Sequence, residues 1–63
     1  MNNNTVINLT GLYGQVVSIR ACDIMQILPH QVWTEIVILG GTYIKVLESG
    51  DEIEKKLEEA EDV

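Results

Sequence analysis

The sequence predicts a mainly β domain, a small antiparallel sheet or half-barrel of four or five strands followed by one C-terminal α-helix. Two apolar runs, residues 32–39 and 42–47, are separated only by Gly40-Gly41, and this arrangement is a strong hairpin signal. Apolar residues make up 46 % of the chain and are mostly Ile, Val and Leu, as is typical of half-buried strands. After residue 48 the apolar residues change to helical spacing.

These observations divide the chain, residues 1–63, into parts of one small domain. We predict a frayed N-terminus at 1–5, a β-sheet over 6–47 and an amphipathic acidic helix over 49–61. A domain of 63 residues is near the lower size limit for a self-sufficient hydrophobic core. Cys22 is the single cysteine, which excludes an intrachain disulfide, and His30 is the single histidine, so no ordinary zinc site is expected. Oligomerisation is the remaining source of stability.

The central hairpin supports the same expectation. A two-residue Gly-Gly turn places Leu39 opposite Thr42, because glycine reaches the positive φ angles of that turn at no steric cost. Both faces of the hairpin are then mostly apolar, while the chain's own helix can cover only one face. A large exposed apolar patch usually marks an interface, so we expect a homo-oligomer. The residues expected at its interface are Val32, Ile36, Ile38 and Leu47.

The other strands follow from alternation and turn residues. Strands are predicted at 6–10, 15–19 and 24–28, the last with a short helical turn as the alternative. Gly14 marks the first turn, either a two-residue turn or a looser, bulged one. Residues 21–23 form a tight corner, and Pro29 stops the third strand and opens a loop that contains His30.

The helix has a defined start and one apolar stripe. Ser49 and Glu52 fit a capping box, in which each side chain accepts a hydrogen bond from the other residue's backbone N–H. Ile53, Leu57 and Ala60 recur at spacings of four and three, so they form one narrow stripe. We expect this stripe to cover part of one sheet face or to pair with a neighbouring helix.

Charge and composition exclude several classes of function. The net charge is −6, and residues 51–63 contribute seven acids and two lysines to it, or −5. Four scattered basic residues cannot form the footprint that duplex nucleic acid requires. No apolar run is long enough for a membrane span, and no signal peptide is recognisable, so a cytoplasmic protein is expected. No cofactor is expected.

Catalysis is not expected either, because no nucleophile and base, carboxylate pair or metal cluster is apparent. Cys22 is expected to be a small buried residue. Four residues are candidates for ligand recognition, since aromatic faces stack on rings and cations bind carboxylate or phosphate. They are Arg20, Trp33, Tyr43 and Lys45. Glu35 lies among apolar neighbours in the predicted register, so it should reach solvent or meet a cation from a second subunit.

A longer pattern carries a family resemblance. Residues 7–10 read Ile-Asn-Leu-Thr and residues 46–49 read Val-Leu-Glu-Ser, with Gly14, Thr34 and Gly41 at matching positions between them. Over about residues 6–57 this resembles the FlbD-type family of small flagellar and swarming-motility proteins, and similar short proteins are encoded by phages. The resemblance implies a non-enzymatic module that docks on a protein partner. The alternative is a phage-type sponge that sequesters a nucleotide signal molecule at subunit interfaces.

Overall fold

Five strands and one helix follow one another as the sequence predicts, in a computed structural model that describes residues 5–61. Residues 1–4 of the predicted frayed segment lie outside the described residues, while the carbonyl of Thr5 accepts a hydrogen bond from the Ala21 N–H at 2.8 Å. The elements are β1 (Val6–Thr10), β2 (Val16–Arg20), a 3₁₀ turn (Ala21–Asp23), β3 (Ile24–Pro29), β4 (Thr34–Ile38), β5 (Thr42–Val46) and α1 (Gly50–Glu61).

The strands form two antiparallel sheets, one of β1 and β2 and one in the order β3-β4-β5. The sheets meet where Gly11 pairs with Val46 in a single bridge. Two further contacts fasten this junction. The N–H of Leu47 donates to the Thr10 carbonyl at 2.8 Å, and the N–H of Thr10 donates to both carboxylate oxygens of Glu48, at 2.8 and 3.0 Å.

The core lies between the inner faces of the two sheets and α1. Its buried members come from both sheets and the helix: Ile7, Leu9, Ile19, Ile36, Val46 and Ile53. Leu57 and Ala60 pack against this cluster, so the helix stripe covers a sheet face, as the first of the two sequence alternatives requires. No helix among residues 5–61 has the length and apolar content to cross a membrane.

The register of the central hairpin differs from the prediction by one residue. Ile38, rather than Leu39, stands opposite Thr42, so the loop has three residues instead of two. The Gly41 N–H closes it on the Ile38 carbonyl at 2.9 Å, and both glycines have positive φ, +99° at Gly40 and +86° at Gly41. A slip of one residue exchanges the faces of a strand, so the face assignments based on the two-residue turn were wrong.

The observed register separates apolar from polar side chains. Ile36 stands opposite Ile44, and both point to the core side, whereas Glu35 stands opposite Lys45 on the outer side. This arrangement buries the β-branched residues together and places opposite charges across from each other, which explains why it is preferred. The prediction of self-association depended on two apolar faces. It loses that support and stays a prediction.

The turn signals give mixed results. The first connection is the looser alternative, because Thr10 pairs with Val16 and Gly14, at φ +82°, donates to the Gly11 carbonyl at 3.0 Å. Pro29 is not the first residue of the loop but the last residue of β3, paired with Thr34. It tolerates this position because β3 is an edge strand.

The capping box is confirmed at the start of α1. The Ser49 N–H donates to the Glu52 carboxylate and the Glu52 N–H donates to the Ser49 hydroxyl oxygen, each at 3.1 Å. The first of these bonds, helped by the Ser49 hydroxyl and by the charge of Lys56, lowers the pKa of Glu52 below its ordinary value. The negative charge of Glu52 also interacts favourably with the positive N-terminal end of the helix dipole.

Candidate functional site

The outer side of the three-stranded sheet carries a cluster of one histidine, one tryptophan and two charged residues. His30 and Trp33 are the first and last residues of the loop between β3 and β4, which the His30 N–H closes by donating to the Trp33 carbonyl at 2.8 Å. Glu35 on β4 and Lys45 on β5 stand opposite each other next to this loop. We call these four residues the outer cluster.

The residues of the outer cluster form a continuous row of contacts, from Glu35 through His30 and Trp33 to Lys45. His30 Nε2 lies 2.9 Å from Glu35 Oε1, and the imidazole stacks on the Trp33 ring with 4.8 Å between centroids and 21° between planes. The Lys45 Nζ lies 5.3 Å from the centroid of the Trp33 ring, within the range of a cation–π contact. The indole N–H is buried and has no hydrogen-bond partner, so the contacts of His30 and Lys45 with the ring, and not a hydrogen bond to the ring nitrogen, orient the Trp33 side chain.

Within residues 5–61 the ammonium of Lys45 has no carboxylate partner. Asp23 is paired with Arg20, and Glu35, the residue directly opposite Lys45, contacts His30 instead. The side chain that would neutralise Lys45 is thus bound to His30. Lys45 presents a positive charge at the surface, in a position that the Trp33 ring restricts.

A cleft of about 440 Å³ opens beside Lys45, between the β1–β2 connection and β5. Its lining is Leu12, Tyr13, Gln15, Val17, Tyr43, Ile44 and Lys45. The Tyr13 N–H donates to Gln15 Oε1 at 3.0 Å, which fixes the connection, and the Gln15 amide occupies the space where a residue other than glycine at 11 would place its Cβ. The Gly11–Val46 bridge lies one residue from both Leu12 and Lys45 and joins the two sheets next to the cleft.

The four predicted recognition residues do not form one site. Trp33 and Lys45 are in contact, and Tyr43 joins Lys45 in lining the cleft. Arg20 is separate, because its Nε pairs with Asp23 at 3.0 Å and its side chain does not line the cleft. A nucleotide site that draws on both Arg20 and Lys45 therefore has no support within one chain.

The predicted interface residues also divide into two groups. Ile36 is fully buried in the chain's own core, so it is not accessible to a second subunit. Ile38 packs against that core and is only partly buried, so its place at an interface stays a prediction. The two-residue turn had grouped both residues with Leu47 on one face, a grouping that the observed register does not keep. Val32 and Leu47 are 74 % and 50 % exposed and stay available for contacts with another protein.

Two expectations about single residues have different outcomes. Glu35 lies on the outer side with its side chain 19 % exposed, so it reaches solvent as one of the two alternatives requires, and it also contacts His30 of the same chain. Cys22 was expected to be buried, and it is exposed on the 3₁₀ turn. Pairing Glu35 with Lys45 across the hairpin was the sequence signal that could have found the outer cluster, because opposite charges favour directly opposed positions. His30, Tyr13 and Gln15 carried no comparable signal.

The residues behind the family resemblance have structural roles. The Leu-Thr and Glu-Ser segments meet where the Thr10 N–H donates to the Glu48 carboxylate, and Ser49 caps α1. Among residues 5–61, no three His, Cys, Asp or Glu side chains come together in a way that could hold a metal ion. Comparisons with models of known families, with curated protein sequences and with solved structures found no match to this chain.

Proposed function

We propose that this chain is a non-enzymatic module that docks on a protein partner, as its resemblance to FlbD-type motility proteins suggests. The docking face consists of Val32, Trp33, Lys45 and Leu47. The observation that supports it is the exposure of Val32 and Leu47, each within two residues along the chain of the contact between Trp33 and Lys45. Trp33 is next to Val32 in the chain, and Leu47 follows Lys45 by two residues, so the four lie at one end of the β4–β5 hairpin.

This composition suits recognition of a protein. Binding energy at protein interfaces concentrates on aromatic residues held in fixed positions, with exposed apolar side chains around them. Lys45 has no carboxylate partner among the residues that the structure describes, so an acidic side chain of the partner would pair with it. A second copy of this chain is one such partner, because its helix is acidic.

The non-enzymatic part of the proposal is based on the state of the reactive side chains. His30 is engaged by Glu35 and stacked on Trp33. Among the described residues, the Cys22 thiol has a contact only with Asp23, at 3.8 Å, and that carboxylate is paired with Arg20. A nucleophile needs an available base and a place for the substrate, and neither Cys22 nor His30 lines the cleft.

Site-specific photocrosslinking tests the docking face. A photoreactive amino acid at position 47 should crosslink to one discrete protein in the cells that produce this chain, whereas the same residue at position 54, on the exposed side of α1, should not. Mass spectrometry then distinguishes a second copy from a different protein. Equal crosslinking at the two positions, or none at 47, contradicts the proposal.

Light scattering complements this experiment. If the partner is a second copy, Leu47→Asp should shift the wild-type mass toward that of the monomer, because the charge would lie in the buried contact. Glu54→Asp is the matched control and should leave the mass unchanged. A wild type that is monomeric at micromolar concentration and gives no crosslink at position 47 to any protein would refute the docking function in both forms.

A further inference from the structure

We propose that the cleft between the β1–β2 connection and β5 binds a small aromatic anion, a flat ring that carries a carboxylate or phosphate group. Lys45 would bind the anionic group, and Tyr13 and Tyr43 would flank the ring. This function goes beyond protein docking and uses a different surface, apart from the shared Lys45. The volume of the cleft, about 440 Å³, is within the range of small-molecule sites, roughly 300–1,000 Å³.

The positive charge of Lys45 is the reason to expect an anionic group on the ligand. Among the described residues, Lys45 is the single basic residue that lines the cleft, and no acidic side chain lines it. The opposing acid, Glu35, contacts His30 at 2.9 Å and forms no ion pair with Lys45, so the ammonium can turn from the Trp33 ring to an anion in the cleft.

The aromatic part follows from the two tyrosines. Tyr13 is 93 % and Tyr43 61 % exposed, so both rings have apolar faces in contact with water that a ligand ring would cover. Aromatic rings pair favourably in stacked or edge-to-face arrangements, and tyrosine keeps its hydroxyl in solvent while it does so. Two tyrosines beside one lysine therefore favour a ring that bears a negative charge.

The shape of the cleft favours a small ligand over an extended peptide. The bridge between Gly11 and Val46 joins the two sheets next to the lining residues Leu12 and Lys45, so an extended peptide cannot pass between the sheets at that point. The backbone of the β1–β2 connection is itself fixed by the Gly11 N–H, which donates to the Gln15 carbonyl at 2.8 Å. A compact molecule can enter from the open side without breaking these contacts.

Amide NMR titration with four probes tests the proposal. Adenosine monophosphate and 2-naphthoate combine a ring with an anion, adenosine is a neutral ring, and inorganic phosphate is an anion without a ring. Comparison of adenosine monophosphate with 2-naphthoate shows whether the site prefers a phosphate or a carboxylate group. We expect saturable shifts of the amides of residues 12–15 and 43–45 with at least one of the two ring anions. Adenosine and inorganic phosphate, the two controls, should bind at least tenfold more weakly.

Two variants locate the ligand in the cleft. Lys45→Met should weaken binding by about ten- to a hundredfold, the effect of a lost charge-assisted contact, and Tyr13→Ser by about two- to tenfold. Lys55→Met removes the same charge from the exposed side of α1 and should leave affinity unchanged. Undisturbed spectra outside the cleft verify that each variant is folded.

Several outcomes would overturn the inference. They are no saturable shift with either ring anion, equal binding of adenosine, equal effects of Lys45→Met and Lys55→Met, or shifts confined to another surface. The docking proposal is tested separately, because Tyr13 is outside the docking face and crosslinking at position 47 does not depend on the cleft. Each proposal can therefore fail while the other stands.

Discussion

The two faces of the β4–β5 hairpin are built by different means. On the inner face Ile36 and Val46 are fully buried against the helix residue Ile53, and packing alone holds them. On the outer face Glu35 and Lys45 stand opposite each other but do not pair, because histidine and tryptophan from the neighbouring loop engage them instead. The difference indicates that stability resides on the inner face. The outer face and its periphery, held by directional contacts, are available for binding.

The strongest test of this comparison truncates one apolar side chain to alanine on each face of the hairpin. Ile36→Ala should lower the free energy of unfolding by about 2–5 kcal/mol, because it removes buried methyl groups and leaves a cavity. Val37→Ala, the next residue and on the outer face, should cost about 1 kcal/mol or less. Urea denaturation followed by circular dichroism measures both. Equal costs would show that the outer face is also tightly packed, as in an oligomer.

The polar junction between the sheets should have an intermediate effect. Glu48→Ala leaves the Thr10 N–H without its carboxylate acceptor, and we expect a loss of about 1–3 kcal/mol in the free energy of unfolding. Glu54→Ala, on the exposed side of α1, is the control and should change stability by only a few tenths of a kcal/mol. If both substitutions have the same effect, the junction contributes nothing beyond helix propensity.

The helix cap is the next smaller test, and it depends on pH. Ser49→Ala should cost about 1 kcal/mol at neutral pH. In the folded chain Glu52 has a lowered pKa, so the unfolded chain binds more protons as acid is added. The contribution of Glu52 is therefore complete above its ordinary pKa, about 4.3, and is lost as pH falls through the folded value. Thermal melts across this range should show a flatter dependence for Glu52→Gln than for wild type, and identical slopes would contradict the sign.

The smallest effect on stability is expected in the outer cluster. His30→Ala should change the free energy of unfolding by less than about 1 kcal/mol, since polar contacts between partly exposed side chains contribute little. It should nevertheless reduce the near-ultraviolet circular dichroism of Trp33, because the stacked ring that orders the indole is gone. Gln31→Ala, in the same loop, is the control for backbone effects. An unchanged Trp33 signal in His30→Ala would show that the stack is not what orders the ring.

The sequence predicts the elements of this fold better than their pairing. The first strand, the capping box and the helix stripe follow from short-range patterns and are confirmed, because alternation and capping depend on neighbouring residues. The hairpin register does not follow from Gly40-Gly41 alone, since two glycines fit a two-residue or a three-residue loop. The cleft depends on the position of the β1–β2 connection relative to β5. The Gly11–Val46 bridge fixes that position, and a bridge between residues so far apart cannot be predicted from local sequence patterns.

The bond between Thr10 and Glu48 spans 38 positions of the chain and has a consequence for the order of folding. A chain emerging from the ribosome can form the β1–β2 hairpin early, but the last amide of β1 finds its acceptor only after residue 48 has been made. Contacts between distant residues cost loop-closure entropy before they contribute stability, and they slow folding. The first hairpin is therefore expected to stay unanchored during synthesis, and the sheets join in one late step that also seats the helix.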